Sequence, residues 1–370
     1  MRAALPRFGL AAIIALLMGG CDVSEETVNF KPVRFADLPG WEDDDHAAAL
    51  GALLKSCRKM KEPDEGCAAA LVLGDGIDRA AARQFFETRY VPHAIEGGNP
   101  KGFVTGYYEP EVDGARARGG KFTVPVYRRP DDLVTLKSDD ERARFNDSIT
   151  GMRETADGPK PYYTRAEIDG GALSGRGLEL LYLDDPVELF FLQVQGSGRV
   201  RLADGSIVRL GFAAKNGHPY TSIGKRLVEM GEGAPADLTM DGVKAWLRAD
   251  PERGRNLMHE NKSYVFFREI EGDGPVGAHG VALTPGRSLA VDTEYHRLGL
   301  PIYVVTPDLL TQGGTPFRRL MVAQDVGSAI RGPERGDIFF GSGEEAGAVA
   351  GRTRHEAKFY VLLPKTSPSS

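Results

Sequence analysis

The chain has 370 residues, of which 41% are hydrophobic and 26% are charged, and its 46 basic and 52 acidic side chains give a net charge of −6 at pH 7. This composition is that of a folded protein of two or three domains, and it excludes a disordered chain and a polytopic membrane protein. The negative charge argues against a nucleic-acid partner. The 46 glycines and 23 prolines predict many turns and a mainly β fold with some helices.

Residues 1–21 have the pattern of a signal peptide. Arg2 and Arg7 precede an apolar run of 11 residues, 8–18, which is too short to span the ~30 Å hydrocarbon core of a bilayer as a helix. The run ends in Met-Gly-Gly-Cys21, which resembles the lipobox of bacterial lipoproteins, although Met18 stands where that motif usually has Leu. We therefore expect cleavage and lipidation at Cys21, with cleavage and release as the alternative.

The expected product is an exported lipoprotein on the periplasmic face of the outer membrane. Asp22 directly follows the cysteine and resembles an inner-membrane retention signal of enteric bacteria, so the inner membrane stays open as an alternative. Without lipidation the protein would be soluble in the periplasm. Residues 22–40 are predicted to form a tether between the membrane and the folded part.

Hydrophobic periodicity divides the rest of the chain into helical and strand-rich parts. Helical spacing predicts two or three helices between residues 43 and 89, and later helices are predicted from the capping-box pattern of residues 164–167 and at residues 222–229 and 241–248. Runs of β-branched and aromatic residues predict strands at 103–108, 122–127, 187–195, 207–212, 265–267, 289–291, 302–305, 319–324, 338–340 and 359–362. Short strands with Gly/Pro turns favour a barrel or sandwich, in consecutive domains or with one domain inserted into another.

Two cysteines remain after Cys21. Cys57 and Cys67 belong to an exported chain, where disulfides persist, and we expect them to pair; two separate buried thiols are the alternative. The seven histidines are scattered and form no ligand pattern, so we expect neither a metal site nor any other cofactor.

Two segments carry polar or aromatic side chains at predicted strand ends. Tyr107 and Tyr108 could be core packing or a platform on which a sugar ring stacks. A period of two along residues 187–198 predicts that Gln193, Gln195 and Ser197 share one strand face, where amides and a hydroxyl need either backbone partners or a polar ligand.

Three aspartates are the candidates for catalysis because the chain lacks a GxSxG nucleophile motif. Asp292, Asp325 and Asp337 lie at strand boundaries beside apolar residues, which can desolvate a carboxyl group and raise its pKa. For each of them, capping of a turn is the alternative.

Several long motifs occur in a fixed order. They are YYEP (107–110), LFFLQVQGSG (189–198), GFAAKNGHPYTSIGK (211–225), NKSYVFF (261–267), SLAVDTEYHRLGLPIYV (288–304) and LMVAQDVGSAIRGPERGDIFFGSGEEAGAVAG (320–351). Over roughly residues 40–362 they resemble the membrane-bound lytic murein transglycosylase A family, whose C-terminal domain is named for three aspartates. The sequence departs from the family pattern at residues 327–330 and in the loop 332–336.

The resemblance implies a fold and a set of roles. The fold is a double-psi β-barrel like that of expansins, built from residues 41–117 and 260–365, with residues 118–259 as an inserted β domain and the glycan in the groove between them. Asp337 is implied as the single catalytic acid and base, with Asp325 and Asp292 as supporting carboxylates. The implied substrate-binding residues are Thr105, Tyr107, Tyr108, Gln193, Gln195 and Ser197.

The implied activity is cleavage of the bond between N-acetylmuramic acid and N-acetylglucosamine, with formation of a 1,6-anhydro ring. The implied partners are peptidoglycan strands and a membrane, which the lipid anchor would bind. Cell-wall enzyme complexes are a further candidate partner. The protein itself is expected to be a monomer. An inverting hydrolase with Asp325 or Asp292 as base is one alternative. An expansin-like protein that binds glycan without cleaving it is the other, and the presence of Asp337 favours an enzyme.

Overall fold

The computed structural model describes residues 28–97, 102–136, 148–234, 238–272, 274–311 and 313–365. The signal peptide, Cys21 and Asp22 lie outside the described residues. Part of the predicted tether is folded, which corrects that prediction: residues 29–32 form a strand that pairs with residues 93–96, and two short 3-10 helices follow it.

The helices form an N-terminal group, a central group and one C-terminal member. They are His46–Lys59 (α1), Glu65–Leu73 (α2), Arg79–Arg89 (α3), the single turn Arg165–Glu167 (α4), Pro186–Gln195 (α5), Ile223–Glu229 (α6), Met240–Ala249 (α7), Pro251–Glu260 (α8) and Gly343–Ala350 (α9). The three helices before residue 90, the capping box at Thr164 and the helices after Ser222 and Thr239 agree with the sequence analysis.

The strands are two to ten residues long. They are Asn29–Pro32 (β1), Tyr90–Glu96 (β2), Phe103–Glu109 (β3), Glu111–Ala115 (β4), Val124–Tyr127 (β5), Val134–Thr135 (β6), Gly151–Arg153 (β7), Lys160–Pro161 (β8), Glu179–Leu183 (β9), Ser197–Arg201 (β10), Ile207–Lys215 (β11), Val265–Glu269 (β12), Ser288–Val291 (β13), Pro301–Leu310 (β14), Pro316–Asp325 (β15), Arg335–Ser342 (β16), Arg354–Glu356 (β17) and Lys358–Pro364 (β18).

Two large sheets organise these strands. The first has the order β1-β2-β18-β14-β15-β13-β16-β3-β17 and the second β12-β11-β10-β4-β9-β5, with a small sheet β6-β7-β8 beside them. The chain passes from the first sheet to the second at Pro110, between β3 and β4, and returns after β12. The fold is therefore mixed α/β with more strand than helix and two sheet-based parts, the first built from both ends of the described chain.

The predicted strand at 187–195 is wrong, because this segment is helix α5. Asp185 caps the helix by accepting a hydrogen bond from the Val187 amide, Pro186 occupies the first turn, and Gly196 ends the helix with a φ of 78°. An apolar run of this length has no clear period, so local sequence does not separate a buried helix from a buried strand. The prediction that Gln193, Gln195 and Ser197 share one strand face is wrong for the same reason.

The N-terminal helices cover one face of the first sheet. Trp41, Leu53 and Phe86 pack with Tyr303 and Leu320 in one buried cluster. The predicted disulfide between Cys57 and Cys67 is present and joins α1 to α2 within this cluster. Among the described residues, no helix has both the length and the apolar composition needed to cross a membrane.

A buried ion pair fastens the start of α1 to the first sheet. Both oxygens of Asp44 accept hydrogen bonds of 2.8 Å from the Arg287 guanidinium, and Asp44 Oδ2 accepts a third, of 2.7 Å, from the Leu320 amide. Both side chains are about 5% exposed. Arg287 directly precedes β13, so this pair fixes where that strand begins.

Asp44→Asn tests the importance of this pair. The variant leaves the buried Arg287 without a counter-charge, so we expect the free energy of unfolding to fall by about 3–5 kcal/mol. Denaturant unfolding followed by circular dichroism measures the change. Glu96→Gln, which breaks the exposed pair with Lys31, should leave the midpoint nearly unchanged. Equal midpoints for Asp44→Asn and the wild type would contradict this account.

Candidate active site

Two of the three predicted aspartates lie in one row across the first sheet. Ala290 in β13 pairs with Asp325 in β15 on one side and with Asp337 in β16 on the other, and Asp337 pairs in turn with Thr105 in β3. Directly paired residues project from the same face of a sheet. The register thus brings Asp325, Asp337 and Thr105 together, although 232 residues separate Thr105 from Asp337 along the chain.

Asp337 is held by a short chain of hydrogen bonds. The Thr105 hydroxyl donates to Asp337 Oδ1 at 2.7 Å, and Arg335 Nη2 donates to the Thr105 oxygen at 2.9 Å. Burial raises the pKa of Asp337 to about 6, against the opposing effects of the Thr105 hydrogen bond and the Arg335 charge. The carboxyl group is therefore mostly protonated in mildly acidic solution, half-ionised near pH 6 and mostly ionised at neutral pH.

Asp325 is fixed by three donors. Its Oδ1 accepts hydrogen bonds from the amides of Ala278 and Val326, and its Oδ2 accepts one from the Tyr107 hydroxyl, all at 2.9 Å. Burial raises the pKa of Asp325, and these hydrogen bonds oppose the shift. The ring of Tyr107 packs on Phe339 with 5.3 Å between centroids and is 8% exposed. Tyr107 thus contributes to packing and to the position of Asp325.

Asp292 lies apart from the row and organises the loop that leads into β16. It is 2% exposed. Its Oδ2 accepts a hydrogen bond of 2.9 Å from the Gly332 amide, and Arg331 lies 3.4 Å from its Oδ1. His296 Nε2 lies 2.6 Å from the Pro333 carbonyl oxygen in the same loop. Asp292 therefore helps to hold the loop that leads into the strand of Asp337.

The end of α5 joins the second sheet to the strand that carries Thr105. Gln195 Oε1 accepts a hydrogen bond of 3.0 Å from the Tyr108 amide, and the Gln195 side chain is half-buried. The Tyr108 ring is 8% exposed, and its hydroxyl lies 3.8 Å from Met240 Sδ. This burial favours core packing for most of the Tyr108 ring.

Gln193 and Ser197 are both buried. Gln193 Oε1 accepts a hydrogen bond of 2.6 Å from the buried Arg165, and its Nε2 donates to the Val265 carbonyl at 3.2 Å. Both ends of the Gln193 amide therefore bond to the protein. Ser197 is 8% exposed and begins β10. Of the three predicted residues near α5, Gln195 has the most accessible side chain.

Two charged residues on β3 and β16 were not among the residues predicted from the sequence. Arg335 lies two residues before Asp337 on the same strand, a spacing that puts both on one face and could have revealed it. Glu109 is fully buried, accepts a hydrogen bond of 2.6 Å from the Ser342 hydroxyl and lies 3.0 Å from Arg209. No local pattern signals these contacts, because Glu109, Arg209 and Ser342 come from three separate strands.

Two family models match the chain. The model described as the MltA specific insert domain matches residues 103–268, and the model of the 3D domain matches residues 287–363. The membrane-bound lytic murein transglycosylase A of Escherichia coli K12 is 36% identical over 283 residues, which cover 75% of this chain and 69% of that protein. The chain belongs to the membrane-bound lytic murein transglycosylase A family.

Solved structures of the family have the same fold. The membrane-bound lytic murein transglycosylase from Agrobacterium tumefaciens is 39% identical, with a TM-score of 0.84 over 91% of this chain and 98% of that one. Escherichia coli MltA with bound chitohexaose is 30% identical, with a TM-score of 0.68 over 92% of this chain and 95% of that one. The segments matched by the two family models include Thr105, Asp325 and Asp337.

In this family member, the described residues contain no group of three or more His, Cys, Asp or Glu side chains that could hold a metal ion. The site as described consists of carboxyl, hydroxyl and guanidinium groups. Proton transfer is the chemistry that such groups can carry out.

The stability of Asp337→Asn, relative to that of the wild type, should increase as the pH rises. The folded state holds the Asp337 proton more tightly than the unfolded chain does, since its folded pKa of about 6 exceeds the ordinary value of 3.8. The wild type therefore loses stability as the pH rises through this interval, and Asn does not. The melting temperature of the variant, relative to that of the wild type, should increase between pH 4.5 and pH 7.5.

Asp292→Asn is the matched control for this measurement. It removes a charged acceptor from the Gly332 amide and from Arg331, so it should lower the melting temperature at both pH values. A constant difference between Asp337→Asn and the wild type across this pH range would contradict a raised pKa for Asp337.

Proposed function

We propose that this protein cleaves the β-1,4 bond between N-acetylmuramic acid and N-acetylglucosamine in peptidoglycan, leaves 1,6-anhydro ends and uses Asp337 as its single acid and base. The observation that carries the proposal is one partly accessible carboxyl group with a pKa of about 6, held by Thr105 in the row described above. The names of the family's members supply the substrate class.

The mechanism needs one group that first gives and then takes a proton. Protonated Asp337 donates to the glycosidic oxygen, the C1–O bond breaks, and the muramic acid ring becomes an oxocarbenium-like centre. The Asp337 carboxylate then accepts the proton of the substrate's own C6 hydroxyl while that oxygen bonds to C1. Asp337 ends protonated, the anhydro ring closes, and no water is consumed.

The arrangement of the other two aspartates disfavours an inverting hydrolase. Such an enzyme needs a second carboxylate that activates a water molecule. Asp325 already accepts three hydrogen bonds from protein donors, and Asp292 is almost fully buried among the loop contacts that it makes. Each of the four oxygens of these two carboxylates accepts at least one hydrogen bond from the protein, which supports the mechanism with one acid. The raised pKa of Asp337 likewise favours an enzyme over a glycan-binding protein of the expansin type.

We further propose that the first sheet closes into a double-psi barrel. Only Ala357 separates β17 from β18; β17 pairs with β3, whereas β18 pairs with β14. The strands β3, β16, β13, β15, β14 and the continuous segment β17–β18 then form a ring. This ring supports a division of the chain into two domains. Residues 41–117 and 260–365 would form the barrel domain, and residues 118–259 would form the inserted domain. The glycan is proposed to lie between the two parts, near Thr105, Tyr108 and Gln195.

Asp337→Asn tests the assignment of the acid. The amide keeps the shape of the side chain but cannot donate and recover a proton. The rate of cleavage of purified murein sacculi should therefore fall by ~10²–10⁴-fold. Release of soluble muropeptides, quantified by chromatography, is the measurement. Asp308→Asn, at an exposed position in β14, is the matched control and should behave like the wild type. Near-normal cleavage by Asp337→Asn would refute the role of Asp337.

We also propose that Cys21 carries a lipid that anchors the protein on the periplasmic face of the outer membrane, with the inner membrane as the alternative. Membrane attachment is in the names of the curated relatives. Cys21→Ala should move the protein from the membrane fraction to the soluble periplasm, because acyl chains supply the anchoring free energy. Immunoblots of fractionated cells measure this, and activity on solubilised glycan should be unchanged. Retention of the variant in washed membranes would contradict lipidation at Cys21.

A further inference from the structure

Three side chains make a directed hydrogen-bond chain at the proposed acid. Arg335 Nη2 donates to Thr105 Oγ1 at 2.9 Å, and Thr105 Oγ1 donates to Asp337 Oδ1 at 2.7 Å. The direction is fixed because a guanidinium group has donors and no acceptor. The Thr105 oxygen must accept from Arg335, and its single O–H hydrogen is then free to point at Asp337.

We propose that Arg335 is a positioning residue that orients the Thr105 hydroxyl and thereby confines the transferable proton of Asp337 to Oδ2. A neutral carboxyl group carries one hydrogen. While Oδ1 accepts the Thr105 hydrogen, the proton belongs on Oδ2, and the same oxygen gives and regains it in the two steps of the reaction. This inference rests on the proposed function, since it concerns the proton that Asp337 transfers.

The surroundings of Arg335 suit this role. The guanidinium lies over the Phe103 ring at 5.5 Å from the centroid, and its Nη1 donates to the Gly336 carbonyl. Among the described residues, Arg335 forms no direct ion pair with a carboxylate. These contacts hold the guanidinium in one orientation while its charge acts on Asp337 through Thr105.

Without Arg335, the Thr105 hydroxyl can rotate. It could then accept a hydrogen bond from a proton on Asp337 Oδ1 instead of donating one. The carboxyl proton would be shared between two oxygens, and part of the enzyme would present it in the wrong direction. A carboxyl proton that points in the wrong direction should lower the rate of the reaction by up to ~10²-fold. The affinity for the substrate should not change.

The charged and titratable groups that face Asp337 come from four strands. Arg335 lies on its own strand, Tyr107 on β3, Asp325 on β15, and Arg354 on β17, where Arg354 pairs in register with Thr105. Arg335 and the Thr105 hydroxyl lower the pKa of Asp337, whereas Asp325 raises it. Loss of either Arg335 or the Thr105 hydroxyl should therefore shift the pKa of Asp337 upward.

Four single variants and one double variant test the chain of donors, with kcat and KM measured against pH on soluble peptidoglycan strands. Arg335→Met and Thr105→Val should each lower kcat by ~10–100-fold, leave KM within twofold, and move the alkaline limb of the pH profile to higher pH. The double variant should lose little more in kcat than either single variant, because both break the same chain. Thr105→Ser and Arg335→Lys, which keep the donors, should recover much of the activity and the wild-type pH limb.

Arg352→Met is the matched control, because it removes an exposed arginine from the turn between α9 and β17, outside the row of Asp337. It should have the wild-type profile. A wild-type profile for Arg335→Met would overturn the inference. So would a rise in KM for Thr105→Val without a pH shift, since that would make Thr105 a contact of the glycan. An active Asp337→Asn, measured alongside, would instead refute the proposed function itself. Melting curves establish that each variant is folded.

Discussion

Gln324 is the extra residue of a β-bulge in β15, and the position of Asp325 depends on it. Leu289 pairs with Ala323, but the next residue, Ala290, pairs with Asp325, so Gln324 has no partner in the ladder. A bulge of this kind redirects the side chain that follows it. Without it, Gln324 would face Ala290 and Asp325 would project from the other side of the sheet.

The side chain of Gln324 explains why the bulge is stable. It is fully buried, its Nε2 donates to the Ala52 carbonyl and the Ser56 hydroxyl of α1, and its Oε1 accepts from the Ser288 hydroxyl. Together with the pair between Asp44 and Arg287, these bonds tie α1 to both β13 and β15. Helix α1 therefore acts on the site by fixing the register of the two strands beneath it.

The site balances two opposing effects on one carboxyl group. Burial favours the neutral form of Asp337, which can donate a proton, and the Thr105 hydroxyl and the Arg335 charge favour the ionised form, which can take one back. A pKa of about 6 keeps both forms accessible near neutral pH. Asp325 and Asp292 bond to the surrounding backbone and to Tyr107, which suits the supporting role proposed for them.

Local sequence predicted most strands and the capped helices, because these depend on periodicity and on caps such as Thr164 and Ser222. It failed for Pro186–Gln195, whose apolar residues have no clear period. The ordered motifs identified the family, and the assignment of the proposed acid to Asp337 follows from that resemblance. Contacts such as Arg335 with Thr105, and Gln324 with α1, depend on strand register across more than 200 residues, which no local pattern encodes.

In the proposed mechanism, one carboxyl group cleaves the glycan without water. The mass of the soluble muropeptides released by the wild-type protein from purified sacculi tests it most directly. Transglycosylation predicts products that carry a 1,6-anhydro end and are one water lighter than the corresponding reducing saccharides. Products with new reducing ends and the full mass would contradict the claim and would require a second carboxylate as base.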